Sequence, residues 1–127
     1  MAKYVDGFLL TVKKNRLKEY KKMAEAGAKA WMKHGALSYF ECTADDLNPN
    51  MMGMKQMGFE KASKASKDEV VIFSFIVYKS KADRNRINKK VMTDPAMNDP
   101  NMCDPKNMPF TMKKFCTGGF VALVEGK

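Results

Sequence analysis

Residues 69–79 decide the fold and read E-V-V-I-F-S-F-I-V-Y-K. Most of them are β-branched or aromatic, the types that fit the pleated surface of a β-strand. The stretch is too short to cross a membrane as a helix. A strand with one face in water alternates apolar and polar residues, whereas this stretch is apolar on both faces. We therefore predict a central strand that is covered on both sides.

Alternate residues of a strand share a face, so the stretch divides into two sets. The first set is Val70, Ile72, Ser74, Ile76 and Tyr78. The second set is Val71, Phe73, Phe75 and Val77. Both sets are rich in large apolar side chains, so each face of the strand needs a packing partner.

The composition is that of a globular protein, with 127 residues, 45% apolar residues and 29% charged residues. This length predicts a single domain over residues 1–127. We expect no membrane-spanning helix and no signal peptide, because the chain has no run of about 18 apolar residues and its N-terminus lacks a cleavage pattern. Three cysteines, Cys42, Cys103 and Cys116, show no zinc-like spacing, which favours free thiols and a cytoplasmic location.

Periodicity divides the rest of the chain into strands and helices. The predicted elements, in chain order, are strand 4–12, helix 16–33, strand 36–43, strand 69–79, helix 81–92 and strand 115–125. Residues 60–67 predict a polar turn or a short helix. The methionine-rich stretch 48–58 and the repeated Asp-Pro pairs of 94–105 predict turns or short helical pieces that lie over the body of the domain.

Both helices carry terminal signals. Asn15 is placed to cap the first helix, and Gly35 is a stop signal at its end. Ser80 and Asp83 have the spacing of a capping box at the start of the second helix. The apolar stripe of the first helix consists of Leu17, Tyr20, Ala24, Ala28 and Trp31. These signals predict two helices that pack against one face of a sheet.

The order strand, helix, strand, strand, helix, strand is that of the ferredoxin-like βαββαβ fold. We therefore predict an α+β domain with a four-stranded antiparallel sheet, in which the first and third strands lie in the middle. The helices would cover one face of the sheet. The second face is still apolar, and the simplest partner is a second copy of the chain related by a two-fold axis. This predicts a homodimer that meets through the sheet face.

Short motifs throughout the chain resemble the YbaA-like family. They are Y-V-D-G-F at 4–8, H-G-A-L at 34–37, F-S-F-I-V-Y-K-S at 73–80, N-K-K-V-M at 88–92, M-P-F at 108–110 and G-G-F at 118–120. The resemblance implies a dimeric α/β barrel, the architecture of a superfamily with cofactor-free monooxygenases, muconolactone isomerases and haem-binding members. It implies no established activity, so whether this chain is an enzyme stays open.

His34 and Asp6 are the candidate catalytic residues. His34 is the only histidine, the side chain that most often moves protons near neutral pH. At the end of the first helix it would serve as a cap, as a general base, or as an axial haem ligand. Asp6 lies on a central strand, where a buried carboxylate needs a partner such as Arg84 or Arg86. A structural role and a catalytic role for Asp6 are equally compatible with the sequence.

A small-molecule pocket between the helices and the sheet is the first functional hypothesis. Its predicted lining is Tyr4, Asp6, Trp31, His34, Tyr39 and Glu41. Such a pocket would serve for binding, or for cofactor-free oxygenation or isomerisation, and should enclose about 300 Å³ or more. We expect no cofactor and no metal, since no phosphate loop, dinucleotide fingerprint or zinc pattern is present.

A basic first helix supports the second hypothesis. The net charge of +9 is concentrated there, and its candidate anion-binding residues are Lys18, Lys22, Lys29 and Lys33. Such a face attracts an anionic partner such as RNA. The same lysines also fit the solvated face of an ordinary surface helix, because no aromatic RNA-binding motif accompanies them.

Overall fold

The computed structural model describes residues 1–99 and 104–127. Its main elements are β1 (Tyr4–Lys13), α1 (Leu17–Lys33), β2 (Ser38–Thr43), α2 (Phe59–Ser63), β3 (Glu69–Tyr78), α3 (Lys81–Met92) and β4 (Cys116–Val121). Short 3₁₀ turns lie at Lys14–Arg16, Pro95–Met97 and Met112–Lys114. Cys103 and Pro100 of the Asp-Pro stretch fall outside the described residues. Within the described ranges, no helix has both the length and the apolar character needed to span a membrane.

The strands form one antiparallel sheet in the order β2-β3-β1-β4. In the central pair, Phe8 lies opposite Ser74 and Leu10 lies opposite Ile72. The two long strands β1 and β3 therefore occupy the middle, as predicted from their apolar sequences. This arrangement confirms the ferredoxin-like α+β fold.

The inner face of the sheet packs against α1 and α3 in two separate apolar clusters. The first consists of Ala30, Ala36, Ile76, Tyr78, Ile87 and Val91. The second consists of Leu10, Val12, Tyr20 and Ile72, with Phe110 and Phe115 packed against it. The second cluster thus takes part of its cover from the segment before β4, because α3 is short and packs over the first cluster. The candidate site lies in the gap between these two clusters.

The outer face of the sheet is only partly covered. Phe40, Phe73 and Phe120 on this face are 52%, 46% and 63% exposed. The short helix α2 lies over one end, where Val71 is buried and Phe59 packs edge-to-face on Phe73 at 6.1 Å between ring centroids. The chain therefore supplies some of the second cover itself, which the sequence pattern did not predict.

The helix termini differ from the prediction at one end only. Asn15 does not cap α1, because Lys14–Arg16 forms a 3₁₀ turn and Arg16 takes the cap position without a side-chain hydrogen bond. At the other helix, the Ser80 hydroxyl accepts the Asp83 backbone N–H at 3.1 Å, as expected for an N-cap. Helix α3 has the predicted bounds, whereas β4 is shorter than the predicted strand 115–125.

Candidate functional site

A cavity of about 230 Å³ lies between α1 and the inner face of the sheet, in the gap between the two apolar clusters. Its lining is mostly aromatic. The lining residues are Phe8, Leu10, Tyr20, Trp31, Tyr39, Phe40, Glu41, Ser74, Ile76, Phe110 and Phe115. Typical ligand pockets start near roughly 300 Å³, the volume expected from the sequence. The cavity volume is smaller than this, so that expectation is not met. Only a small molecule fits.

Glu41 is held in this cavity by two tyrosines. The Tyr20 hydroxyl donates to Glu41 Oε1 at 2.6 Å, and the Tyr39 hydroxyl donates to Glu41 Oε2 at 2.7 Å. Burial, together with the neighbouring Glu41 carboxylate, raises the pKa of both tyrosines well above the ordinary value of 10.0. Both phenols therefore keep their protons and act as donors. A carboxyl group that accepts hydrogen bonds on both oxygens has the bonding pattern of the ionised form.

Gly27 makes room for the Tyr39 hydroxyl. It is buried in the middle of α1, and a Cβ added there would lie 2.7 Å from Tyr39 Oη. Glycine inside a helix costs about 0.5–1 kcal/mol relative to alanine. The helix therefore carries a residue that weakens it, at the one turn where the tyrosine of the site approaches the backbone. Gly27 was not among the predicted site residues, although a glycine within a helical pattern is a recognisable signal.

Phe110 and Phe115 close one side of the cavity. Their rings are stacked at 5.4 Å between centroids, and Phe110 also meets Tyr20 edge-to-face at 6.0 Å. Arg16 holds the segment in place, because its guanidinium donates to the carbonyls of Asn107 and Met108 at 2.7 Å each. Neither phenylalanine was predicted to line the site, since Phe110 appeared only in the M-P-F motif and Phe115 only as the first residue of the predicted strand 115–125.

Trp31 and Tyr39 form the wall on the α1 side. Their ring centroids are 6.0 Å apart. The indole N–H of Trp31 donates to Asn88 Oδ1 at 3.0 Å, which fixes the ring against α3. Three of the six residues predicted to line the pocket therefore do so, namely Trp31, Tyr39 and Glu41.

Asp6 lies outside the cavity lining, in a buried ion pair with Arg84. The guanidinium donates to both carboxylate oxygens at 3.0–3.1 Å, and the Tyr78 hydroxyl donates to Asp6 Oδ2 at 2.9 Å. Tyr4 also lies outside the cavity lining, with its ring centroid 5.1 Å from the Arg84 guanidinium. Gly119 leaves the space that the Tyr4 ring fills. These contacts fasten α3 to the middle of the sheet.

His34 lies at the end of α1, away from the cavity lining, and contacts Asp94. Its Nε2 is 2.8 Å from Asp94 Oδ2, while the Ala96 backbone N–H donates to Asp94 Oδ1 at 2.9 Å. The Ala96 N–H and then the His34 contact lower the pKa of Asp94 to about 2. This contact joins the end of α1 to the turn that follows α3.

The lysines of the second hypothesis lie along the exposed surface of α1. Lys18, Lys22, Lys29 and Lys33 are all exposed. The ammonium group of Lys33 is 3.4 Å from Asp94 Oδ2, so part of its charge is balanced within the chain.

Comparison with known proteins gives the family. Residues 3–112 match the family described as "Protein of unknown function (DUF1428)". The chain belongs to the DUF1428 family. The uncharacterised protein YbaA of Escherichia coli K12 is 37% identical over 123 residues, which cover 97% of this chain and 98% of that protein. YbaA of Shigella flexneri matches with the same identity and coverage. The resemblance to the YbaA-like family is thereby confirmed.

Solved structures similar to this DUF1428 chain support the fold. A NIPSNAP family protein of unknown function from Agrobacterium tumefaciens matches with a TM-score of 0.55 and 14% identity, covering 95% of this chain and 88% of that one. A dimeric ferredoxin-like protein from an uncultured marine organism matches with a TM-score of 0.52 and 10% identity, covering 99% and 100%. At these identities the likeness shows the fold alone, which is ferredoxin-like as predicted.

The chemistry available in the DUF1428 cavity centres on hydrogen-bond acceptors. The Glu41 oxygens still have free lone pairs, and the two phenol oxygens that donate to them keep their own. The Ser74 hydroxyl also lies in the lining. The site can therefore receive a hydrogen-bond donor, or a proton, from a molecule that fills the aromatic space.

Proposed function

We propose that this DUF1428 protein binds a small, mostly apolar molecule in the cavity between α1 and the sheet. The observation that carries the proposal is a mostly aromatic cavity lining around a single carboxylate, that of Glu41. Pockets that are mostly apolar with a few convergent polar groups are typical ligand sites. At about 30 Å³ for each water molecule, a cavity of 230 Å³ has the room of roughly eight waters, so the ligand is about that many non-hydrogen atoms in size.

A homodimer is the second part of the proposal. The exposed aromatic rings of Phe40, Phe73 and Phe120 make the outer sheet face a large apolar patch, and such patches mark interaction surfaces. A second copy related by a two-fold axis would present the same patch. The similar fold of a protein described as dimeric and ferredoxin-like agrees with this arrangement.

Catalysis in the cavity would fall to Glu41. Where the bound molecule carries an acidic proton, Glu41 is the group of the lining that would accept it. Tyr20 and Tyr39 hold the carboxylate in position and stay protonated, so they would stabilise the negative charge on the base. Cofactor-free isomerisation or oxygenation would start from this proton transfer. His34 and Asp6 would support the fold around the site.

Native mass spectrometry of freshly purified protein tests both parts. We expect a dimer and a bound small molecule in the spectrum. Ser74→Ile, which fills the cavity, should lose the bound molecule, while Thr43→Ile at the exposed end of β2 should keep it. A spectrum of monomers would refute the dimer. Co-purification with Ser74→Ile would refute the cavity as the site.

Binding of an anionic partner is the alternative, and the exposed lysines of α1 support it through their charge alone. Its signature is affinity for a single-stranded RNA probe that falls steeply with salt. Replacing Lys18, Lys22 and Lys29 by glutamine should reduce that slope. Affinity that does not change between low and moderate salt would refute this alternative.

A further inference from the structure

The charge of Glu41 is not balanced within the chain. In the described residues, no lysine, arginine or histidine lies within ion-pair distance of its carboxylate, whereas the largely buried carboxylates of Asp6, Glu69 and Asp94 each pair with Arg or Lys. Its hydrogen-bond partners are the neutral phenols of Tyr20 and Tyr39. A partly buried negative charge without a counter-charge is unfavourable, because water is excluded and nothing of opposite sign replaces it. The negative charge of Glu41 therefore lacks a positive charge beside it in the described residues.

The hydrogen-bonding groups around Glu41 select for donors. Each tyrosine uses its one proton on Glu41, which leaves acceptor lone pairs on both phenol oxygens and on the carboxylate. An anionic ligand would meet these lone pairs and be repelled. A ligand with N–H groups would be matched to all of them.

The walls of the cavity suit a cation. Tyr20, Trp31 and Phe110 present aromatic rings to the space beside Glu41. The faces of aromatic rings attract ammonium groups, and the attraction grows to about 2 kcal/mol when the site is desolvated. The same rings accommodate the apolar body of a ligand.

We propose that the ligand of this cavity is a small organic cation, an ammonium group on an apolar body, with Glu41 as its counter-ion and the aromatic rings as its walls. This inference rests on the proposed function, because it names the class of molecule that the cavity binds. The ammonium group donates to Glu41 and to the phenol oxygens. The apolar body lies between Trp31 and Phe110.

Trp31 fluorescence provides the assay, since Trp31 is the only tryptophan of the chain and lines the cavity. Three probes of similar size and different charge are titrated at neutral pH: benzylamine, benzyl alcohol and benzoate. We expect benzylamine to bind at least about tenfold more tightly than benzyl alcohol, and benzoate to bind most weakly. Added salt should weaken the binding of benzylamine and leave that of benzyl alcohol unchanged.

Glu41→Gln is the matching variant. It should remove the preference for benzylamine and retain the affinity for benzyl alcohol. Glu25→Gln, which removes a negative charge from the exposed surface of α1, is the control and should keep the preference. Where Glu41→Gln does not fold, the probe comparison and the salt titration on the unaltered protein decide the question.

The outcomes separate the two proposals. Benzyl alcohol that binds as tightly as benzylamine would overturn the cation inference and leave small-molecule binding intact. A preference for benzylamine that survives in folded Glu41→Gln would also overturn it. If none of the three probes changes the Trp31 emission up to millimolar concentration, the proposed function itself fails.

Discussion

Gly27→Ala tests whether the tyrosine hydroxyl, and not helix packing in general, fills the space beside α1. The added Cβ would lie 2.7 Å from Tyr39 Oη, closer than carbon and oxygen atoms approach without a bond. Relief requires the Tyr39 hydroxyl to move, and it then leaves Glu41, to which it now donates at 2.7 Å. The substitution therefore acts on the site through the position of one oxygen atom.

The magnitude follows from two opposed contributions. Alanine stabilises a helix interior by about 0.5–1 kcal/mol relative to glycine. Loss of a hydrogen bond to a charged group costs about 1.5–3 kcal/mol. We expect Gly27→Ala to lower the free energy of unfolding by roughly 1–2 kcal/mol, since the second contribution is larger.

The same substitution in a Tyr39→Phe background should have the opposite sign. Without the oxygen, the nearest atoms to the new Cβ are the ring carbon Cζ of residue 39 at 3.5 Å and Trp31 Cζ3 at 3.7 Å, which are ordinary van der Waals contacts. Gly27→Ala should then stabilise the protein by about 0.5–1 kcal/mol. The sign reversal is the coupling between the two positions.

Urea denaturation of the four proteins, followed by far-UV circular dichroism at one protein concentration, measures this cycle. The unaltered protein, the two single variants and the double variant are compared. An effect of Gly27→Ala that is the same in both backgrounds would refute the reasoning, because the Tyr39 hydroxyl would then not be the group that needs the space.

Three further perturbations test the surroundings of the site. Phe73→Glu places a charge on the exposed outer sheet face and should convert the proposed dimer to monomers in sedimentation velocity. Asp6→Asn leaves Arg84, whose side chain is 24% exposed, without its charged partner and should lower the free energy of unfolding by about 1.5–3 kcal/mol in urea. Burial raises the pKa of Glu69, but hydrogen bonds from Lys114 and neighbouring groups outweigh it and lower the pKa from 4.5 to about 2. Its stabilisation is therefore complete above pH 4.5 and lost as the pH falls toward 2, and Glu69→Gln should flatten that part of the stability curve.

The elements with a periodic pattern of apolar residues could be predicted from the sequence. The two faces of β3 and the bounds of α3 follow from periodicity and from the Ser80 cap, which are local properties. The packing of helix α2 on the outer sheet face was not predicted, because its short polar sequence does not indicate which surface it contacts. Asn15 does not cap α1, because it lies inside the 3₁₀ turn Lys14–Arg16, and Arg16 in the cap position bonds to the carbonyls of the segment before β4.

The candidate site was predictable only where strand geometry sets it. Tyr39 and Glu41 share a face by the two-residue period, and the structure brings them together. The predicted apolar stripe of α1 accounts for the burial of Tyr20, but its bond to Glu41 depends on the packing of α1 on β2. Phe110 and Phe115 come from an irregular segment whose position is fixed only by tertiary contacts. Side chains that converge from distant segments leave no spacing signal in a single sequence.

The buried carboxylates of this protein differ in a way that separates folding from function. Several lie within 4 Å of a cation and thereby serve stability. The pairs are Asp6–Arg84, Glu69–Lys114 and Asp94–Lys33. Glu41 is arranged differently, because the described residues give its carboxylate two phenol donors and no cation, beside the open volume of the cavity. The two tyrosine hydrogen bonds stabilise the fold, but in the described residues they leave the charge of Glu41 without a partner of opposite sign, which is the role proposed for a cationic ligand.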